Sequence, residues 1–248
     1  MSQALLQVQS LVRHFSGVRA VDGVSLEVAA GQCVALIGPN GAGKSTTFAC
    51  IAGQQQPDAG QVLWQGRSLL GLSPAQRLDQ GVGRSFQVAQ VFEALSVLGN
   101  VQLALQARQR RLSHWQALAL WQREDAMAML EQAGLAGQAH HLAGSLPYGA
   151  KKRLELALVL AGKPGLLLLD EPAAGLAEQE RASLMVWVRA LAAGGLAVIY
   201  TEHNMDAVAG VADRVLVLIE GRIAAEGPFE TVAADPLVQA RYLGRAHA

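Results

Sequence analysis

Residues 38–46 read GPNGAGKST, between the unbroken apolar run CVALI (33–37) and a helical pattern that begins at Lys44. The stretch fits G-x-x-x-x-G-K-[ST], a loop that joins a buried strand to a helix N-terminus. Few folds supply that junction, so this stretch narrows the architecture more than any other part of the chain. Gly38, Gly41 and Gly43 let the backbone curl round a phosphate with its N–H groups pointing inward. Pro39, Asn40, Ala42 and Thr46 complete the loop. Lys44 reaches the β- and γ-phosphates of a nucleotide, Ser45 offers a hydroxyl to Mg²⁺, and the helix dipole adds positive potential.

The rest of the pattern agrees with such a core. LLLL (166–169) and LAVIY (196–200) are also unbroken apolar runs, as expected of parallel strands covered on both faces. Leu6 and Val8, and then Val24, Leu26 and Val28, alternate with polar residues and predict half-exposed antiparallel strands. Helices are expected over Lys44–Ala52, stopped by Gly53, and Glu178–Ala193, stopped by Gly194-Gly195. Residues 214–227 predict a hairpin turning at Glu220-Gly221. Alternating strands and helices make a doubly wound α/β core. With 51% hydrophobic and 16% charged residues, the chain has the material for a large interior.

The middle differs, with little strand signal from about residue 92 to 162. Ser73-Pro74-Ala75-Gln76 and Ser113-His114-Trp115-Gln116 both fit a capping box, and the second opens a predicted helix running to Ala133. Trp115 and Trp121 on it are core residues or face a partner. The chain therefore reads as one unit over 1–248. Its α/β core covers 1–87 and 163–225, an inserted helical lobe 88–162 and a helical tail 226–248.

Asp170 and Glu171 follow LLLL, at the strand end where open α/β sheets bind ligands. Asp170 can hold Mg²⁺, directly or through water, and Glu171 can polarise an attacking water. The bulk numbers remove other classes. Formal net charge is +0, which gives no electrostatic reason to expect nucleic acid. Cys33 and Cys50 have no metal spacing and read as small buried apolar residues of a reducing compartment. The first ten residues lack the basic start and apolar stretch of a secretion signal, and no apolar run is long enough for a membrane span.

Taken together, these residues resemble the nucleotide-binding subunit of an ABC transporter over nearly the whole chain. The resemblance implies a P-loop NTPase core, mainly parallel with an antiparallel β subdomain, and an inserted α-helical lobe. It implies ATP and Mg²⁺ as ligands, with Gly38–Thr46 as Walker A and Leu166–Asp170 as Walker B. RSFQ (84–87) looks like the Q-loop, so Gln87 would sense the γ-phosphate and Mg²⁺, the latter shared with Ser45 and Asp170. TEHN (201–204) makes His203 the switch histidine, acting with Glu171, Lys44 and Gln87 in catalysis. Phe15 matches the aromatic that stacks on adenine. DEPAAGL (170–176), EHNMDAV (202–208) and YLG (242–244) resemble the LivG-type branch of branched-chain amino acid importers. That branch implies transmembrane permease subunits, a second ATP-binding subunit and, indirectly, a periplasmic solute-binding protein. The place is then the cytoplasmic face of a bacterial inner membrane.

One element departs from the family pattern. Leu-Ser-Gly-Gly-Gln, which in this family grips the ATP of the opposite subunit in a head-to-tail dimer, here reads Leu146-Pro147-Tyr148-Gly149-Ala150. Pro147 has neither hydroxyl nor N–H. The Gly149 N–H, the helix dipole and nearby lysines remain, which predicts a weakened seat; the second ATP-binding subunit of the head-to-tail pair is then a different ATPase with an intact signature or a second copy of this chain. Lys151, Lys152 and Arg153 read as a solvated first helical turn rather than a nucleic-acid patch. The competing readings are a non-hydrolysing docking subunit and a non-transport ABC ATPase. An ordinary GTPase is disfavoured because no Asn-Lys-x-Asp motif is present.

Overall fold

The structure, a computed structural model, describes residues 4–85, 89–109 and 122–245. Its centre is a six-stranded sheet in the order β10-β9-β3-β8-β7-β6. Strands β3 (Cys33–Ile37), β7 (Leu166–Leu169) and β8 (Ala197–Thr201) are buried along their whole length. They pair in parallel with each other and with β6 (Val82–Arg84) and β9 (Arg214–Ile219). β10 (Arg222–Gly227) closes one edge as the antiparallel arm of the hairpin at Glu220-Gly221. A second sheet, β2-β1-β4-β5, is antiparallel: β1 (Ala4–Phe15), β2 (Val18–Ala29), β4 (Ala59–Trp64) and β5 (Arg67–Ser68).

Side-chain alternation along the central strands divides the interior. Val34, Leu36, Leu166, Leu168 and Ile199 face the small sheet and Phe48 and Ile51 of α1 (Lys44–Ala52). Cys33, Ala35, Leu167, Val198 and Tyr200 face the other way. There they meet Leu184 and Val188 of α6 (Glu178–Ala193), Val208 of α7 (Met205–Ala209), Val232 of α8 (Phe229–Ala233) and Val238 of α9 (Pro236–Arg241). A third cluster joins α3 (Val97–Gln109), α4 (Arg123–Gln132) and α5 (Tyr148–Ala161) into a helical lobe.

Several expectations meet the structure closely. α1 and α6 begin and end at the predicted residues, and Gly53 ends α1 in the left-handed conformation. α2 (Pro74–Asp79) carries the predicted capping box on Ser73 and Gln76. The second predicted box, at Ser113, lies outside the described residues with Trp115 and Trp121. Other features were not foreseen. β4, β5 and β6 lack a periodic signature. Tyr148-Gly149-Ala150 form the first turn of α5, with Pro147 as its N-cap.

Parallel pairing fixes where chemistry can occur. The carboxyl ends of β3, β7 and β8 come to one edge of the sheet, delivering the phosphate loop, Asp170-Glu171 and the segment with His203 to adjacent positions.

Candidate active site

The phosphate loop follows β3 and leads into α1. Gly38 and Gly43 have φ of +145° and +103°. A Cβ built on Gly38 would lie 2.0 Å from the Leu218 carbonyl oxygen, and one on Gly43 would lie 2.0 Å from that of Ala20. Glycine is therefore a steric requirement at both positions. Lys44 is only 7% exposed, and its Nζ donates to the Gly38 and Pro39 carbonyls at 2.7 and 3.0 Å. Burial pulls its pKa down, opposed by the charges of Glu171 and Asp170. A cleft of about 180 Å³ opens over the loop, lined by residues 40–46, Ala20, Glu171 and His203. Ser45 is exposed within it.

The carboxylates at the end of β7 are held from two sides. Asp170 Oδ1 accepts the Thr201 hydroxyl at 2.9 Å, and Oδ2 accepts Nη2 of Arg84 at 3.1 Å. Arg84 also donates to Gln54. The Glu171 N–H donates to Thr201 Oγ1 at 2.9 Å. Glu171 itself has φ +47°, a conformation uncommon for a residue with a side chain and frequent where function demands it. This turn brings its Oε1 to 2.9 Å from His203 Nε2. With its proton on Nε2, the imidazole donates to the carboxylate. Thus Lys44, Ser45, Glu171 and His203 converge on one cleft. Ser45 and Asp170 offer hard oxygen donors of the kind Mg²⁺ takes together with phosphate and water.

Residues 21–174 match the sequence model of the family described as ABC transporter. The chain belongs to the ABC transporter family. LivG of Salmonella typhimurium, a high-affinity branched-chain amino acid transport ATP-binding protein, is 37% identical over 256 aligned positions, covering 99% of this chain and all of LivG. BraF of Pseudomonas aeruginosa, described in the same words, is 35% identical with the same coverage. Among solved structures, the ADP conformation of an ATP-binding cassette of an ABC transporter superposes with a TM-score of 0.87. It is 29% identical and covers 98% of this chain and all of its own. The chain is accordingly an ATPase of the P-loop NTPase fold. Among the described residues, no helix is long and apolar enough to cross a membrane.

Of the remaining ABC-pattern residues, Phe15 and Pro147–Ala150 lie apart from the cleft lining. Phe15, at the end of β1, is exposed, with the Arg13 guanidinium 4.7 Å from its ring centroid. The same hairpin reaches the cleft through Ala20 instead. Gln87 lies outside the described residues. Pro147, Tyr148, Gly149 and Ala150 head α5 and do not line the cleft of their own chain.

The cations after this altered ABC signature correct the expectation of a solvated turn. Lys151 donates to Glu93 at 2.7 Å. Lys152 is 3% exposed and pairs with Glu155 at 3.8 Å. Arg153 donates to Ser183 Oγ at 2.7 Å and to the Ala133 carbonyl at 3.3 Å. Lys151 and Arg153 fasten α5 to its surroundings, while Lys152 is buried beside a residue of its own helix. The Glu180 carboxylate stands beside Gly149, where a Cβ would meet its Oε1 at 2.6 Å. Thr201, Glu202, Arg84 and Ala20 are site residues that sequence reasoning passed over. The first three lie inside the TEHN and RSFQ stretches, so adjacency to His203 and Gln87 was the available signal.

Proposed function

We propose that this ABC subunit binds ATP with Mg²⁺ and hydrolyses it to power uptake of branched-chain amino acids, or a related small polar solute, through a separate permease. The cargo follows from the resemblance to LivG and BraF over the full length of both. The hydrolytic reading is carried by one observation: the Glu171 carboxylate and His203 imidazole, 2.9 Å apart, face a cleft floored by the phosphate loop.

Each residue then has a task. The loop N–H groups and Lys44 hold the β- and γ-phosphates. Ser45 and Asp170, with Gln87, would hold Mg²⁺, which when bound would supply positive charge against the phosphate oxygens. Glu171 polarises a water that attacks the γ-phosphorus as the bridging P–O bond to ADP breaks. His203 orients that carboxylate and reaches the γ-phosphate. Phe15 stacks on adenine. The head of α5, Pro147–Ala150, faces the nucleotide of a second ATP-binding subunit in a head-to-tail dimer. With Pro147 in place of a hydroxyl, that second site turns over slowly, which favours a different partner carrying an intact signature. The assembly sits on the cytoplasmic face of a bacterial inner membrane, fed by a periplasmic binding protein.

ATP hydrolysis by the purified chain, with Glu171→Gln as the blank, tests this. Turnover that rises with protein concentration and vanishes in the variant supports hydrolysis and shows that Pro147 is tolerated. Tight ATP binding with turnover only after a second ATPase subunit is added supports the heterodimer. Turnover absent in both settings would leave a docking subunit as the reading.

A further inference from the structure

Glu202 is 4% exposed, and nothing described above gives it a task. Its Oε1 accepts the Ala173 N–H at 3.2 Å. Its Oε2 accepts the N–H groups of His203 at 3.1 Å and Asn204 at 3.4 Å. Among the described residues Glu202 makes no ion pair, so these backbone dipoles are what the buried carboxylate has to compensate its charge. Burying an ionised carboxylate is costly unless its lone pairs are filled, so the position has a use for the charge.

The geometry shows what is held. The β7–β8 ladder ends at the pair Leu169↔Tyr200. Beyond it one segment carries Glu171 and the other His203. Thr201 ties them at the strand ends through Asp170 and the Glu171 N–H. Pro172 has no N–H to offer, so Ala173 supplies the next donor after Glu171. Glu202 reaches across to that donor with one oxygen and grips the backbone of His203 with the other. The brace therefore spans the two segments within two residues of each group that meets in the cleft.

We propose that Glu202 is a positioning residue for hydrolysis: its carboxylate fixes the Ala173 and His203 backbones against each other and so sets the Glu171–His203 contact. This rests on the roles given to Glu171 and His203 under Proposed function. Glutamine at 202 would present one amide N–H₂ to a backbone N–H, so one side of the brace would be lost.

The test is steady-state ATP hydrolysis, under whichever assembly gives wild-type turnover, by wild type, Glu171→Gln, Glu202→Gln, His203→Ala and the double variant of 202 and 203. Glu202→Gln is expected to lower kcat about 10- to 100-fold, with KM for ATP within about twofold. In the His203→Ala background the same change is expected to cost less than about twofold, since the contact it sets is already gone. Wild-type kcat in Glu202→Gln, or an equal loss in both backgrounds, overturns the proposal. If Glu202→Gln no longer binds nucleotide, the same comparison with Glu202→Asp decides. No turnover in wild type, or turnover surviving Glu171→Gln, instead overturns the reading on which the proposal rests.

Discussion

The ring of Tyr148 lies over Gly175, close enough that a Cβ built on the glycine would stand 3.3 Å from Cε1. The contact joins the first turn of α5 to the segment just after Asp170-Glu171. Gly175 has φ +75°, so this position rejects a side chain on two counts, backbone and space. Gly175→Ala should cost about 1–2 kcal/mol of stability, read as a lower urea midpoint. Tyr148→Ala should leave global stability nearly unchanged and speed amide exchange over residues 173–176.

Arg77 is 1% exposed and donates through Nη1 to the carbonyls of Cys50 and Ile51, both at 2.6 Å. These belong to the last turn of α1, where i+4 donors run out and, among the described residues, the Cys50 carbonyl otherwise accepts only the long 3.3 Å bond from the Gly53 N–H. A guanidinium thus caps the helix whose other end carries the phosphate loop. Arg77→Met should lower stability by about 2–3 kcal/mol. Lysine should recover only part of the loss, because it lacks the planar fork. Thermal unfolding of the three proteins measures both effects.

Cys33 and Cys50 are completely buried. Burial, with the Asp213 carboxylate adding to it, pushes the Cys33 thiol up to about 12, and burial pushes Cys50 up to about 11. Neither has access to the thiolate form near neutral pH. A thiol reagent at pH 8 should modify neither cysteine in the native protein, and both after unfolding in guanidinium.

Asp58 is held below the ordinary carboxylate value of 3.8, first by the backbone N–H of His14 and then by the Arg13 guanidinium. A depressed folded pKa contributes stability that is fully present above 3.8 and is lost as pH falls through the folded value. Asp22, bound by Arg222, acts with the same sign. Stability should therefore fall on acidification below about pH 4, and Asp58→Asn should make that decline shallower in denaturation series at several pH values.

How far the sequence could be read depended on whether a signal was local. β3, β7 and β8 stood out because strands buried on both faces have no polar residue to interrupt them. α1 and α6 were bounded by glycines at their C-terminal ends. β4 gave no such signal: in AGQVLW only Val62 and Trp64 are buried, behind Gly60 and Gln61, and β6 has three residues. The site divides the same way. The phosphate loop, Asp170-Glu171 and His203 are contiguous motifs, and the structure brings the loop, Glu171 and His203 to one cleft. Lys151 and Arg153 read as solvated because their partners, Glu93 and Ser183, are 58 and 30 residues away. Lys152–Glu155 was nearer, at i,i+3, but periodicity says nothing about burial of a charge. Arg84 and Glu202 went unassigned because their bonds reach across the sheet edge to Asp170 and Ala173.

Gly38 presses on a carbonyl of β9 and Gly43 on a carbonyl of β2, strands of different sheets. The turn of the β9–β10 hairpin stitches the same place, with the Gly221 N–H on the Ala42 carbonyl and the Asp22 N–H on the Gly221 carbonyl. The phosphate loop is thus the seam between two sheets, and its bore is set by their spacing. Neither sheet can shift against the other without pinching or loosening the loop, which makes this turn a gauge of how the two halves of the core are seated.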